Sequence, residues 1–437
     1  MLSETFISSI RAQPKSAIAK DVGIYFHELD PAPKIKSSFK KSSTPVNALA
    51  ANPTHIFAAQ ADKAVVHVYS RERGNQEALI SFPERIHCLT LIEDVILVLG
   101  TAEGRLIFWE VCTGRQISTP ASHLQAVSCV AATQSHLISG SEDSNIHVWS
   151  IPRLLSLTAP ETHEPLRTLP NHRAAITSVG LGHSKSTTNI CVSASEDNTI
   201  IVWNYHSGTL LRTFLLAQTP LCLAIDSCDR GVFIGFEDGS VQRADLVDQN
   251  SGLNPLYDTN LQATPVQVTN PPFVSRSTEL ENGATNCIGL NHDGTKLLTG
   301  HTSGKVIEWD TGRQCYTTEL ADLNAPVTNL CMISPFSSKK LTKAITIVKP
   351  KLAEGNYTFT AQLTSSLGRS RYDQALESQG FPVEMLEDAI SRFSSPIVAS
   401  SSDDEKLRKD NDDLRKVVSE QQALLKKMLA KQAKQKA

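Results

Sequence analysis

The segment GSEDSNIHVW, residues 140–149, decides the fold of this 437-residue chain. It combines the end of one strand, a tight polar turn and a β-branched strand that ends in Trp149, which is the pattern of a β-hairpin. Comparable ten-residue phrases end at Tyr69, Trp109, Trp149, Trp203, Ala244 and Trp309. Successive endings lie 40, 40, 54, 41 and 65 residues apart. A period of about 40 to 45 residues is typical of four-stranded propeller blades, and the two long intervals predict insertions.

The number of blades follows from the chain on either side of these phrases. VGIYFH, residues 22–27, has strand character one period before the first phrase and predicts an irregular first blade. Two further strand-like runs, at 327–333 and 344–349, follow the last phrase. We expect both to complete the ring with the N-terminal segment, because closure removes free sheet edges. The sequence therefore predicts an all-β, seven-bladed WD-repeat β-propeller over residues 1–365.

Two repeats carry the same four polar side chains at matching positions, in a combination that could be mistaken for a catalytic triad. The two sets are His123, Ser139, Asp143 and Trp149, and His172, Ser193, Asp197 and Trp203. One chain would not build the same active site in consecutive repeats, so we interpret both sets as structural quartets. Asp accepts a hydrogen bond from the imidazole, the imidazole from Ser, and Ser from the indole N–H, which satisfies buried polar groups. Nucleophilic catalysis also lacks the G-x-S-x-G turn that exposes a serine.

No segment supplies the residues that an enzyme, a metal or a cofactor needs. The Gly-containing turns lack the Lys-Ser/Thr ending and the following helix of a phosphate-binding loop. The nine cysteines include no C-x-x-C pair, so neither zinc nor a disulfide framework is expected. Five of them recur in the strand that should open each blade, where a small buried side chain fits a narrow strand: Cys88, Cys129, Cys222, Cys287 and Cys331. We therefore expect no enzymatic activity, no metal and no cofactor.

The composition limits the cellular compartments in which we expect the protein, but it indicates no class of partner. Hydrophobic residues make up 40% of the chain and charged residues 20%, with a formal net charge of -3. The chain has no run of eighteen apolar residues, and its start, MLSETFISSI, does not read as a signal sequence. We expect neither a membrane span nor secretion, which leaves the cytosol or the nucleus.

Two insertions interrupt the blade spacing, at about residues 151–172 and 246–283. Prolines in the first forbid a long helix, whereas Leu154 and Leu155 could pack on the blade or on a partner. The second is rich in Asn, Thr, Pro and Ser. Loops of this length in compact repeats are usually disordered or functional. The second insertion is therefore either loose cover or a partner-binding arm.

Lysines cluster in two segments that ring closure could bring together. They are Lys34, Lys36, Lys40 and Lys41, which surround Phe39, and Lys339 and Lys340 near the end of the ring. A clustered positive face would attract an RNA phosphate backbone. No series of aromatic residues for base stacking accompanies them, so ordinary solvated lysine is the other interpretation.

The chain changes character after about residue 365. Residues 366–402 predict a partly helical linker, and residues 403–437 predict a coiled-coil helix. The apolar positions of its seam are Leu407, Leu414, Val417, Leu424 and Met428. Such a stripe without a core of its own favours a partner. We expect a parallel homodimer first, with docking on another subunit or on the propeller as alternatives.

A resemblance to a known family rests on three features: GIYFHEL at 23–29, GSEDSNIHVWSIPRLLSL at 140–157, and the charged C-terminal helix. The chain resembles the pre-rRNA-processing proteins called Involved in Processing of Internal transcribed spacer two, subunit three. The resemblance implies a non-enzymatic scaffold in the nucleolus and nucleoplasm that serves spacer processing, maturation and export of the large ribosomal subunit precursor. It also implies a helical-repeat subunit, a companion subunit and an AAA-type remodelling ATPase as partners. A role at replication origins has been attached to the same family.

The competing class is a ubiquitin-ligase substrate receptor or a signalling scaffold of the G-protein β type. Both are propellers with appended helices. The G-protein β subunit carries its coiled coil before the propeller, however, and no F-box-like module precedes the ring in this sequence. These two features favour the pre-rRNA-processing family over both alternatives.

Overall fold

The computed structural model describes residues 4–11, 22–30, 32–156, 163–183, 189–247, 256, 258, 262, 264–274, 282–333, 346–350 and 401–435. In the last of these ranges, side chains are described for residues 408–424, 426 and 427. The chain divides into two compact units, Met1–Ser365 and Ser366–Ala437. The first holds the sheets and the second holds a C-terminal helix.

The first unit is built almost entirely of short strands. In chain order they are β1 (Thr5–Ile10), β2 (Val22–Glu28), β3 (Lys34–Lys40), β4 (Leu49–Ala51), β5 (His55–Ala59), β6 (Val65–Ser70), β7 (Gln76–Ser81), β8 (Ile86–Ile92), β9 (Ile96–Thr101), β10 (Leu106–Glu110), β11 (Gln116–Ser118), β12 (Val127–Ala132), β13 (His136–Ser141), β14 (Ile146–Ser150), β15 (Arg167–Leu169), β16 (Ile176–Leu181), β17 (Ile190–Ser195), β18 (Thr199–Asn204), β19 (Thr209–Leu215), β20 (Pro220–Ile225), β21 (Gly231–Phe236), β22 (Val241–Asp245), β23 (Val266–Gln267), β24 (Thr285–Leu290), β25 (Lys296–His301), β26 (Lys305–Asp310), β27 (Cys315–Asp322) and β28 (Val327–Ile333). Among the described residues, helix α1 (Ile151–Leu154) lies in this unit and helix α2 (Ser401–Gln435) lies in the second unit.

These strands form seven sheets, which are the blades of the propeller. Blade 1 has the order β28-β1-β2-β3, and blades 2, 3 and 4 contain β4 to β7, β8 to β11 and β12 to β15. Blade 5 contains β16 to β19 with β23 added in parallel, blade 6 contains β20 to β22, and blade 7 contains β24 to β27. The predicted seven-bladed propeller is confirmed.

The repeated phrase forms the hairpin between the second and third strands of a blade. In blade 4, Gly140 pairs with Ile146 across the turn, and Ser144 takes a positive φ of 67°. Asn198 takes the same role in blade 5 with a φ of 60°. Small polar residues tolerate this left-handed conformation better than branched ones do. The polar centre of each phrase therefore closes the turn, and the β-branched run that follows enters the core.

Four of the five recurring cysteines lie opposite glycines on the neighbouring strand, whereas Cys331 lies opposite Ile7. The register pairs are Cys88 with Gly100, Cys129 with Gly140, Cys222 with Gly235, and Cys287 with Gly300. A Cβ atom added to any of these glycines would lie between 2.5 and 2.8 Å from the facing Sγ atom. The missing side chain thus makes room for the thiol. Burial raises the pKa of the Cys129 thiol to about 12, so it packs as a small apolar group.

Ring closure joins the two ends of the first unit. Strand β28 pairs antiparallel with β1, from Thr5 opposite Ile333 to Ile10 opposite Val327. This confirms that the 327–333 run completes the ring with the N-terminal segment. The second run is different, because the described residues 346–350 form no strand. The expectation that 344–349 adds a ring strand is wrong for these residues, which lie against blade 3.

The first predicted insertion is largely part of blade 4. Helix α1 follows β14 directly, and its residues Ile151 and Leu154 are buried beside Trp149. Strand β15 then supplies the fourth strand of the blade. Residues 157–162 lie outside the described part of the chain. The long interval in this repeat therefore sits between the third and fourth strands.

The described parts of the second insertion cover the outer edges of blades 5 and 7. Strand β23 pairs with β19, and Val274 bridges to Cys315 on β27. Phe273 is 2% exposed, and its ring centroid lies 6.1 Å from that of Trp309. These residues are packed against the ring, which favours cover over a free arm for this portion.

Within the described residues, no helix combines the length and apolar character needed to cross a bilayer.

We predict that Asn329→Ala weakens the ring at its closure. The Asn329 amide donates to Ser9 Oγ at 3.0 Å and to the Pro45 carbonyl at 2.7 Å, and it accepts from the Ala48 N–H at 3.0 Å. Removing it leaves buried polar groups unpaired, at a cost of about 1–3 kcal/mol. Urea unfolding measures this loss. The exposed Asn75→Ala is the matched control and should leave the free energy of unfolding unchanged. An equal effect of both variants would contradict a stabilising role of the Asn329 hydrogen bonds at the closure.

Candidate functional site

The two predicted quartets are brought together in blades 4 and 5 with the same geometry. In blade 4, His123 Nε2 lies 2.8 Å from Ser139 Oγ, and the Trp149 indole donates to the same oxygen at 3.0 Å. His123 Nδ1 faces the Asp143 carboxylate at 3.3 Å. In blade 5 the corresponding distances for His172, Ser193, Trp203 and Asp197 are 2.8, 3.0 and 3.2 Å.

The electrostatics of the quartets hold the turn at the blade surface. Burial alone would raise the pKa of Asp143, but hydrogen bonds from His123 and from the N–H groups of Asn145 and Leu124 outweigh burial and lower it. The pKa of Asp197 is lowered in the same way. Both aspartates therefore stay ionised as acceptors. Ser139 and Ser193 are fully buried, so a substrate has no access to either hydroxyl in this conformation.

Two related pairings in other blades escaped the sequence reasoning. In blade 7, Trp309 donates to Thr299 Oγ1 at 2.8 Å, and His301 Nε2 lies 2.9 Å from the same oxygen. In blade 1, Ser8 Oγ lies 2.8 Å from His27 Nε2. Burial lowers the pKa of His27 to about 4. The signal for blade 7 was the Gly-His pair at the start of its phrase. Blade 1 had no such signal, because its single irregular repeat offers no second copy for comparison.

Blade 3 satisfies its tryptophan from outside the repeat. The position that holds Ser or Thr in blades 4, 5 and 7 is Leu99 in blade 3, so the Trp109 indole has no hydroxyl beneath it. It donates instead to the Val348 carbonyl at 3.1 Å. The Val348 N–H in turn donates to the Val111 carbonyl at 2.9 Å. Residues 346–350, called the strap below, thus complete the polar pairing of blade 3.

A single carboxylate partly neutralises the predicted basic patch where the structure describes it. Lys34 and Lys36 each place Nζ 2.9 Å from the Glu28 carboxylate. Lys40 and Lys41 remain exposed. Phe39, which precedes Lys40, is 2% exposed, and its ring centroid lies 5.4 Å from that of Tyr69. Lys339 and Lys340 lie outside the described residues.

Helix α2 presents an apolar stripe to solvent. The exposed fractions are 65% for Leu414, 50% for Val417, 51% for Val418 and 59% for Leu424. The side chains of Leu407 and Met428, the other predicted seam positions, lie outside the described set. The described part of the linker range, residues 401 and 402, belongs to the helix, which begins at Ser401.

Within the described residues, no group of three His, Cys, Asp or Glu side chains is arranged to hold a metal ion. One end of the central channel contains a cavity of about 400 Å³ lined by Arg85, Glu142 and Glu196, among others. The Asn47 side chain reaches across this end to the carbonyls of Ser128 at 3.3 Å and Thr177 at 3.4 Å.

Comparison with known proteins agrees with this architecture. The family described as WD domain, G-beta repeat matches residues 114–150 and 163–204, which contain both quartet tryptophans. These two stretches of the propeller are therefore similar to WD repeats. The crystal structure of the computationally designed Ika8 protein matches with a TM-score of 0.49 and 21% identity, over 74% of this chain and 90% of that one.

Relatives with curated names match about two thirds of the chain. The chain is 27% identical over 286 residues to WD repeat-containing protein 18 of Danio rerio, covering 64% of this chain and 63% of that protein. It is 28% identical to Pre-rRNA-processing protein IPI3 of Yarrowia lipolytica, covering 60% and 61%. It is 24% identical to Pre-rRNA-processing protein crb3/ipi3 of Schizosaccharomyces pombe, covering 69% and 72%. The chain thus matches less than two thirds of the length of the first two relatives.

We predict that Ser139→Ala and Ser193→Ala destabilise the propeller by similar amounts. Each change leaves an indole N–H and an imidazole nitrogen without a buried partner, which costs about 1–3 kcal/mol. Chemical unfolding measures the loss, with the exposed Ser303→Ala as control. A large effect in one blade and none in the other would contradict two equivalent structural quartets.

Proposed function

We propose that this protein is a non-enzymatic scaffold subunit of a nuclear complex required for pre-rRNA spacer processing and for maturation and export of the large ribosomal subunit precursor. The observation that carries the proposal is the similarity of the ring to proteins named for pre-rRNA processing in Yarrowia lipolytica, Schizosaccharomyces pombe and Candida albicans. The activity belongs to those relatives by name and comes to this chain as a proposal.

The physical form of the ring supports a scaffold more than an enzyme. The polar sets that could suggest catalysis recur in consecutive blades, and their serines are fully buried. Their hydrogen bonds are used in holding strands and turns together. Seven blades meanwhile offer many separate loops and outer strands to partners, which suits assembly.

The proposed partners are a helical-repeat subunit, a companion subunit and an AAA-type remodelling ATPase on the large-subunit pre-ribosome, in the nucleolus and nucleoplasm. Direct contact with rRNA has weak support from the ring. Glu28 pairs with two of the four lysines predicted for the first half of the patch and offsets one of their charges. We therefore propose that recognition of proteins dominates on the described surface.

Tagged full-length protein should recover spacer-containing precursors of the large-subunit rRNA together with ribosome assembly factors. Sequencing of the bound RNA and mass spectrometry of the bound proteins measure this. A tagged propeller of unrelated sequence is the control. Recovery of cullin components without pre-rRNA would contradict the proposal and favour a ubiquitin-ligase receptor.

We also propose that α2 pairs with the α2 of a second copy as a parallel coiled coil. Four large apolar side chains are half to two thirds exposed along it. Burying a fully exposed side chain of this kind contributes about 1.5–3 kcal/mol, so each of these four has roughly half to two thirds of that amount to gain. Lys416 and Asp413 form an ion pair at 3.4 Å beside this stripe. An apolar stripe with charged flanks is typical of such helices.

Replacing Leu414, Val417 and Leu424 with Asp should halve the mass measured by light scattering while the propeller stays folded by circular dichroism. Truncation after Ser402 should have the same effect. The control replaces Ser419, Ala423 and Lys426 with Asp, because these positions lie on the opposite side of the helix at 100° per residue. An unchanged mass in the first variant would exclude a homodimer through this helix.

A further inference from the structure

The end of the central channel opposite Asn47 holds a cavity with apolar walls. Strands β16, β20, β24 and β28 are neighbouring innermost strands, and two adjoining cavities of about 290 and 340 Å³ lie at their C-terminal ends. The apolar walls are Leu181, Leu223, Ile225, Leu290, Leu330 and Met332. Volumes near 300 Å³ are at the lower end of the range for ligand sites.

A buried carboxylate lines the same cavity. Glu4 is 6% exposed, and its Oε2 atom has no hydrogen-bond partner among the described residues. Its backbone is fixed, because the Glu4 carbonyl accepts from the Leu29 N–H at 2.8 Å. A buried carboxylate oxygen without a hydrogen bond is costly. A cation that entered the cavity would remove this cost.

The surrounding charges also favour a cation. Lys296 Nζ lies 2.9 Å from Asp30 and 3.7 Å from Glu308. Burial alone would lower the pKa of Lys296, but these carboxylates, with a contribution from Glu4, outweigh burial and raise it. This cluster therefore sets three carboxylates against one ammonium group.

The nearby turn adds no unpaired positive charge. At the rim, His183 Nδ1 lies 3.2 Å from Asp229, and Arg230 Nε lies 2.9 Å from Asp226. His183 and Arg230 therefore each have a carboxylate partner, so neither adds an unpaired positive charge.

We propose that this end of the central channel, its mouth, binds an arginine or lysine side chain from a basic segment of a partner protein. The aliphatic stem packs against Ile225, Leu290 and Met332, and the cationic group pairs with Glu4. Side chains with an apolar stem and a charged head suit a site with this division. A nucleic acid does not fit, because its phosphates would face the unpaired carboxylate. The other mouth is less suitable, because Asn47 reaches across it and Arg11 pairs with Asp62 at 3.2 Å.

The test uses the full chain labelled with ¹³C at the methionine methyl groups. The sequence contains four methionines, so the Met332 signal is assigned by its loss in Met332→Leu. Acetyl-arginine amide and acetyl-lysine amide are titrated as probes, with acetyl-citrulline amide as the neutral counterpart of arginine. We expect at least one cationic probe to shift the Met332 signal saturably, and the neutral probe not to shift it.

Glu4→Gln should weaken binding about tenfold through loss of a charge-assisted hydrogen bond. Glu142→Gln, at the opposite mouth, is the matched control and should bind as the unaltered chain does. A second variant, Ser227→Arg, places a competing cation on the rim without changing the buried wall, and it should also weaken binding. The proposal is overturned by an absence of saturable shifts, by equal binding of the citrulline probe, or by unchanged binding in both Glu4→Gln and Ser227→Arg.

Discussion

The pairing of β28 with β1 is the interaction on which the rest of the propeller depends. Hydrogen bonds between side chains such as Ser9 and Thr328 join residues 319 positions apart. Without this pairing, β28 and β1 would present free strand edges, and such edges recruit other chains. Contacts between distant residues form only after a large loss of chain entropy. Asn329 contributes to holding the closed state, since its amide links β28, β1 and the entry to blade 2.

Inside the ring, the buried tryptophan or tyrosine side chains at the tryptophan position of the blades obtain their hydrogen-bond acceptors in different ways. Each blade tryptophan brings a buried indole N–H that requires an acceptor. Ser139, Ser193 and Thr299 provide it from the neighbouring strand in three blades. Tyr69 takes the tryptophan position in blade 2 and donates its hydroxyl to the Lys40 carbonyl at 2.9 Å. Blade 6 places Ala244 there and needs no acceptor. The repeats therefore share a geometry while differing in chemistry.

The sequence predicted those parts of the molecule that depend on short-range pattern. Turn residues next to alternating β-branched runs identified the hairpins, and their spacing gave seven blades. The quartets were recognisable because two copies could be compared. Ser8 and His27 were missed, because a single irregular blade offers no second copy. The fate of residues 346–350 was also missed, since TIVKP reads as a strand until its hydrogen bonds to blade 3 are known. Glu4 has no sequence signal, because an unpartnered oxygen is a property of three-dimensional packing.

The strap gives blade 3 a dependence on chain that lies beyond the closed ring. Trp109 obtains its acceptor from Val348, whereas β28 already ends at Ile333. A shortened protein ending soon after β28 would retain all seven sheets but leave this indole without its carbonyl. The consequence of proteolysis between the ring and α2 therefore depends on where the chain is cut. A cut after the strap separates two units, whereas a cut before it also weakens an interior that looks complete on its own.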